Sequence, residues 1–256
     1  MKKIGIIIQA RMGSSRLPGK VLKQVSGKSL LEYLFDRLAQ AKKCKTIILA
    51  TTINPEDDKL CDKAEAYGIP VYRGSEDDVL DRYYQAAKQY NLDPVIRITA
   101  DCPLILPELI DMACVAFYNE NIPDYLGFKL PYPEGLADIA VFPFSALEKA
   151  WNEAEKMSER EHVTKFLINR PDRFRLVRLD VNSVINEFRY TIDEDLDYEV
   201  VKQIIEDFHP ANDFNLKDLE EYSLNHPEVV NRNKHIMRNE GYYISLQKDG
   251  KLGSRT

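Results

Sequence analysis

The sequence predicts an α/β protein built on a mostly parallel sheet. Three observations carry this. Short apolar runs alternate with segments of helical period through the first half of the chain, in the order β-α-β-α-β-α-β-α. The opening run over 3–10 is continuously apolar and β-rich, the pattern of a strand buried on both faces. Residues suited to helix ends stand at the junctions, with Gly68 at a C′ position and Pro107 opening a helix.

Taken in order, residues 29–42 place Leu30, Leu31, Leu34, Phe35 and Leu38 on one helical face. A second strand is expected over 46–51, a helix over 56–68, a short strand at Val71 and Tyr72, and a helix over 76–90. A strand over 94–99 and a helix from Pro107 to about 120 complete the regular half. Ligands of such sheets sit beyond the carboxyl ends of the strands. That rule points at 9–20, 51–54, 73–78 and 100–103. The second half is less regular. Prolines, glycines and short apolar runs fill 123–143, and helices are expected over 144–156, 159–169, 195–208 and 215–224, with a strand over 175–181. Trp151 falls on an amphipathic pattern with Leu147 and Ala154, as a core residue would. The polar stretch after about Gly250 reads as a disordered tail. No repeat, low-complexity segment or linker divides the chain.

A chain of 256 residues suits one large domain or one domain with an insertion. Its net charge of −6 argues against a general nucleic-acid binder, while leaving room for a local basic pocket. Cys44, Cys61, Cys102 and Cys114 form no C-x-x-C pair and no cysteine–histidine cluster of zinc spacing, so reduced thiols are expected. The start Met1-Lys2-Lys3 followed by Ile4 to Ile8 resembles a signal peptide, but Gln9 and Arg11 end the apolar run too early. No stretch reaches the length of a membrane span, and a cytoplasmic protein without membrane partners is expected.

The strongest local feature is Gln9-Ala10-Arg11-Met12-Gly13-Ser14-Ser15-Arg16-Leu17-Pro18-Gly19-Lys20, directly after the first strand. Glycines let backbone N–H groups approach phosphate oxygens, and cations neutralise their charge. It is not a Walker loop: five residues separate Gly13 from Gly19, and Val21 stands where a magnesium-binding hydroxyl would. On composition alone, a solvated basic loop with turn glycines is an equal reading.

The run A-R-x-G-S-S-R-L-P-G-K after an opening strand resembles the signature of the cytidylyltransferases that activate acidic sugars, the CMP-Kdo and CMP-acylneuraminate synthetases. The chain most resembles their spore-coat polysaccharide (SpsF-like) branch. The likeness continues through 73–82, 99–104, Ser158-Glu159-Arg160-Glu161-His162-Val163-Thr164, Tyr190-Thr191-Ile192-Asp193 and Arg238-Asn239-Glu240-Gly241-Tyr242. The resemblance implies a nucleotide-diphosphosugar-transferase fold, Rossmann-like, with a three-layer mixed sheet and an inserted arm that often pairs two subunits. Residues 123–188 are the expected arm, in a homodimer. It further implies transfer of CMP from CTP to an acidic sugar with release of pyrophosphate, in surface polysaccharide precursor synthesis. Arg11, Arg16 and Lys20 carry over as triphosphate contacts that stabilise charge in the reaction, and Gly13 and Ser14 as donors from the same loop. Ala10, Arg73 and Asp101 are expected beside the nucleotide, and Asp101 and Asp193 as the acids that hold Mg2+.

Read on their own, the acids leave alternatives open. Asp101 follows a strand, where a carboxylate suits magnesium or an Asx turn. Asp193 opens a helix with Glu194, Asp195 and Asp197, where capping is the simpler role. Asp57-Asp58 and Asp77-Asp78 read as first-turn helix charges. Arg73 and Arg82 either reach the nucleotide or pair with neighbouring acids. His162, in a charged stretch, is either solvated or on the substrate side. Tyr132 and Glu134 lie in the segment expected to face the acceptor. That segment reads Gly135-Leu136-Ala137-Asp138 where the SpsF-like pattern is a tighter Gly-Leu-Asp, so the acid specificity and the role of Asp138 do not carry over. Three further readings stand beside the main one: a nucleotidyltransferase acting on a phosphorylated non-sugar acceptor, a glycosyltransferase on a related fold, and a non-catalytic nucleotide-binding protein.

Overall fold

The structure, a computed structural model, describes residues 3–253. The first half follows the expected alternation. It runs β1 (Lys3–Gln9), a two-residue hairpin of β2 (Gln24–Val25) and β3 (Lys28–Ser29), then α1 (Leu30–Gln40) and β4 (Ile47–Thr52). Next come α2 (Asp58–Ala66), β5 (Val71–Gly74), α3 (Val79–Gln89), β6 (Leu92–Thr99) and α4 (Pro107–Asn119). The second half adds β7 (Tyr125–Phe128), β8 (Ala140–Phe142), α5 (Phe144–Glu153), α6 (Met157–Glu161), α7 (Lys165–Ile168) and β9 (Leu176–Leu179). Four helices finish the chain: α8 (Asp195–Phe208), α9 (Leu216–Asn225), α10 (Pro227–Val230) and α11 (Glu240–Gly253).

Seven strands form one sheet in the order β5-β4-β1-β6-β8-β7-β9. β1 pairs in parallel with both β4 and β6, and β8 alone runs against its two neighbours. The chain leaves β1 towards β4 and β5, then crosses to β6 on the other side. The switch point of the sheet therefore lies between the carboxyl ends of β1 and β6, where a crevice opens.

The continuous apolar run of β1 is explained by helices on both faces. Ile6 and Ile8 pack into a core with Leu31, Leu34 and Leu38 of α1 and Val200 and Val201 of α8. Ile7 points the other way, against Leu80 and Tyr83 of α3 and Leu147 of α5. Burying each such side chain is worth about 1.5–3 kcal/mol, so this strand anchors all three layers. Local signals set the helix ends. Ser29 caps α1 in a reciprocal capping box with Glu32, and Asp78 caps α3 through the N–H of Asp81. Trp151 stacks on Tyr84 at 4.2 Å and donates to Asp81 at 2.8 Å, tying α5 to α3.

Residues 123–188 correct the expectation of an inserted arm. They supply β7, β8 and β9, three of the seven strands in the main sheet. β9 lies within the strand expected over 175–181, but the apolar runs of β7 and β8 are only three or four residues long and carry no clean period, which is why 123–143 read as irregular. The expected helix over 159–169 is broken at 162–164, where Val163 takes φ +37° between α6 and α7. Residues 250–253, expected in a disordered tail, continue α11, while 254–256 lie outside the described residues. Among the described residues no helix is long and apolar enough to cross a membrane.

Candidate active site

The loop after β1 is shaped before any ligand is considered. Gly19, at φ +67°, starts a 3-10 turn over Lys20–Leu22, and its N–H bonds the Met12 carbonyl at 3.0 Å. The Met12 N–H in turn donates to Asp57 at 2.7 Å. Asp57 is 1% exposed, and its other oxygen accepts from Thr51 Oγ1 at 2.9 Å, Thr52 Oγ1 at 2.5 Å and Thr52 N at 3.1 Å. Asp57 is thus more than a first-turn helix charge: it clamps the basic loop onto the end of β4. Nothing in the local sequence distinguishes it from Asp58 beside it.

The loop forms one wall of a cavity of about 380 Å³ at the switch point. Gln9, Ala10, Arg11, Ser14, Arg16 and Lys20 line it from the β1 side, and Thr99, Ala100 and Asp101 from the end of β6. Asp193, Glu161, His162 and the α11 residues Gly241, Ile244, Ser245 and Lys248 close it. Residues more than two hundred positions apart in the chain therefore meet. Arg16 Nη1 reaches Glu240 at 2.5 Å, which joins the loop to α11.

Asp101 and Asp193 converge on one atom. Lys20 Nζ lies 2.9 Å from Asp193 Oδ1, 3.4 Å from Asp101 Oδ2 and 2.5 Å from the Ile192 carbonyl. Burial alone would lower the lysine, but the two carboxylates outweigh it and hold it above its ordinary value. Asp193 also meets Arg16 Nη2 at 2.9 Å and Arg189 Nη2 at 2.9 Å. Burial would push its carboxyl up, but Lys20, Arg16 and Arg189 hold it below the usual aspartate value. The capping role read for Asp193 falls to its neighbours. Glu194 is the N-cap of α8, and Asp197 Oδ2 accepts from the N–H groups of Asp193 and Glu194 at 2.9 and 3.1 Å. Two converging carboxylates that already hold one cation between them fit magnesium, which takes one or two carboxylates and fills its shell with phosphate oxygen and water. Among the described residues no third acidic, histidine or cysteine ligand joins them.

Other expected residues are placed differently. Arg73 does not line the cavity; its guanidinium donates to the Thr52 and Asn54 carbonyls and to Asp58 at 2.8, 2.9 and 2.6 Å. It braces the end of β4 because β5 is the edge strand, one place too far from the switch point. Gly13 also stands outside the lining, where an added Cβ would meet Glu76 and Glu56 at 3.2 and 3.3 Å. Glu134 does not line this cavity and pairs instead with Arg189 Nη1 at 2.9 Å. Its chain direction is set by Gly135, at φ +87°, where a Cβ would come within 2.4 Å of the backbone at Tyr190 and Thr191. Arg189, 4% exposed, binds Glu134, Asp193 and Asp197 together and so positions the site's acid from behind.

Arg82 is the cationic wall that sequence reasoning left undecided. It is 2% exposed, lines the cavity, and its Nε and Nη1 are buried without a hydrogen-bond partner among the described residues. Burial and Arg11 both push it down, the signature of a cation set for an anion. Gln9 Oε1 is likewise buried and unpartnered at the cavity floor.

A second cavity, of about 330 Å³, shares His162 with the first. Tyr132 lines it and donates to Asp138 Oδ1 at 3.0 Å; Asp138 also accepts from Gly135 N. His162 Nε2 stands 3.1 Å from Ser245 Oγ, which donates to Glu161 at 2.6 Å. Burial, with Arg97 and Lys165 nearby, pushes His162 down to about 4 against the pull of Glu161, so the ring is neutral near pH 7.

A mostly parallel α/β sheet with a glycine-rich, cationic loop at its switch point defines a fold of the nucleotidyltransferase type. Known proteins agree. A family model described as cytidylyltransferase matches residues 5–236. An uncharacterized protein of Methanocaldococcus jannaschii is 39% identical over 92% of this chain and 96% of its own length. The spore coat polysaccharide biosynthesis protein SpsF of Bacillus subtilis is 34% identical over 80% of this chain and 87% of its own. The solved structure of a cytidylyltransferase from Leptospira borgpetersenii superposes with a TM-score of 0.86 at 33% identity, covering 93% of this chain and all of that one. The chain belongs to the cytidylyltransferase family.

Proposed function

We propose that this protein transfers CMP from CTP to an acidic acceptor and releases pyrophosphate, in the supply of precursors for a surface polysaccharide. The observation that carries the reading is the first cavity, where Arg11, Arg16, Lys20 and Arg82 face Asp101 and Asp193 beyond the ends of β1 and β6. An acceptor oxygen attacks the α-phosphorus in line. The new P–O bond forms as the bond to the β-phosphate oxygen breaks, and the acceptor proton is lost. The protein's contribution is positioning and charge neutralisation. Arg11, Arg16 and Arg82 bind the phosphates, and Lys20 stabilises charge growing on the leaving group. Mg2+ held by Asp101 and Asp193 would neutralise phosphate charge. For it to enter, Lys20 exchanges its carboxylate partners for phosphate.

The reading is tested by incubating the protein with each nucleoside triphosphate, a panel of sugar acids and phosphorylated acids, and magnesium, then measuring pyrophosphate. CTP-dependent release is expected and should stop with EDTA. A clear preference for another nucleotide would remove the cytidylyl assignment and leave nucleotidyl transfer standing. The same reading includes a homodimer through residues 123–188, in which β9 is an edge strand and Val184 is 69% exposed. A monomer mass by light scattering at micromolar concentration would remove that part.

A further inference from the structure

The second cavity holds more positive charge than the fold accounts for. Arg97 comes from β6, Lys165 from α7 and Arg178 from β9, and all three line the same space. None of them makes an ion pair among the described residues. Lys165 rests over the Tyr242 ring at 4.1 Å and Arg178 near the Tyr125 ring at 5.6 Å, contacts that leave their charge uncompensated. Arg97 Nε is buried with no hydrogen-bond partner among the described residues. The single carboxylate lining the cavity is Asp138, already held by Tyr132. Three cations against one anion leave a net charge of +2.

Gathering like charges around one cavity, with Arg97 and Lys165 partly buried, is costly unless a ligand compensates them. Lys165 registers that cost: burial, Arg97 and Arg178 all push it below the ordinary lysine value. The cavity also meets the nucleotide cavity at His162, the one residue lining both. A molecule seated in the second cavity would therefore lie next to bound triphosphate.

We propose that the second cavity is the acceptor subsite and that Arg97, Lys165 and Arg178 take a group carrying two negative charges, a phosphate monoester or paired carboxylates, instead of a lone carboxylate. A dianion balances the net charge of this cavity, whereas a monocarboxylate leaves it half compensated. As an acceptor subsite it rests on the nucleotidyl-transfer reading above; as an anion site it does not.

Calorimetric titration of the full chain with inorganic phosphate, malonate and acetate tests it. Phosphate or malonate should bind at least about tenfold more tightly than acetate. Arg178→Gln and Lys165→Gln should each weaken malonate and phosphate binding about tenfold or more at one site, and the loss from Arg178→Gln should be the same whether or not Lys20 is replaced by alanine. Arg178 is exposed on an edge strand, so its variant should fold; if it does not, Lys165→Gln carries the test. Equal binding of phosphate and malonate supports recognition by charge alone, and a phosphate preference supports a phosphorylated acceptor. Acetate binding as tightly as phosphate would overturn the proposal. So would phosphate binding that depends on Lys20 and ignores Arg178 and Lys165. CTP binding is measured separately on the same samples. A wild type that binds phosphate in the second cavity but no nucleotide would defeat the nucleotidyl reading alone.

Discussion

The two cavities are built from the same kinds of side chain and treat charge in opposite ways. In the first, Lys20 and Arg16 are already bound by Asp101, Asp193 and Glu240 at 2.5 to 3.4 Å. In the second, Arg97, Lys165 and Arg178 face one carboxylate and make no ion pair among the described residues. A site whose cations have internal partners must exchange them when ligand binds, so its charges act as a switchable network. A site of unpartnered cations is preorganised and discriminates by net charge. Arg82, a buried guanidinium without a partner among the described residues, and Lys248 of α11 depart from this in the first cavity.

The largest effect should come from breaking the exchange in the first cavity. Lys20→Ala is expected to lower turnover roughly a hundredfold or more, the scale for losing one preorganised charge stabiliser. Circular dichroism should show the fold intact. An unchanged rate would mean that the loop lysine only balances Asp101 and Asp193.

Asp193→Asn sharpens the same point. Asparagine keeps the shape but removes the charge that Lys20, Arg16 and Arg189 share. Magnesium-dependent turnover should fall about tenfold or more, while metal-free nucleotide binding, followed by calorimetry, persists. Full magnesium-dependent activity would take this acid out of the metal site.

Asp57→Ala tests whether the first cavity depends on its clamp. It would leave the Met12 N–H and two threonine hydroxyls without their acceptor, at a cost of about 1–3 kcal/mol in urea unfolding. The KM for nucleotide should rise as the loop loosens. Unchanged stability would show that water replaces the carboxylate.

The smallest effect lies at the shared wall. His162 is held down to about 4 in the folded protein, so between pH 6.5 and 4 the unfolded chain binds a proton that the folded one does not. Stability should therefore be full above pH 6.5 and fall as pH drops through this window, by on the order of 1–3 kcal/mol. Urea midpoints measured against pH should lose that slope in His162→Gln. A slope that survives the substitution belongs to another group.

Local pattern was enough for the strand–helix alternation of the first half, though not for the short β2–β3 hairpin. The β1 run, the α1 stripe and the loop ending at Gly19 and Lys20 are all legible because each is decided by neighbours within about ten residues. The switch-point rule then placed the loop and Asp101 together, since both follow strands that read clearly. β9 lies within the strand expected over 175–181, whereas two short strands of the second half, β7 and β8, escaped. Their runs are too brief to show a period, and pairing across β6, β8, β7 and β9 alone holds them in the sheet.

By itself, then, the sequence determined the alternating α/β framework and the basic loop, because periodicity and turn chemistry are local properties of the chain, while the role of the acids that accompany the loop was implied only by the family resemblance. Only the tertiary structure decided what each charge does. Arg73 and Arg82 stand nine positions apart with the same chemistry, yet one braces Asp58 and the other lines a buried cavity without a partner. Asp57 and Asp58 are adjacent, and one is a buried clamp while the other pairs at the surface. Electrostatic role depends on distance and desolvation, and both are set by which distant residues, from Glu240 of α11 to Arg178 of β9, the fold brings alongside.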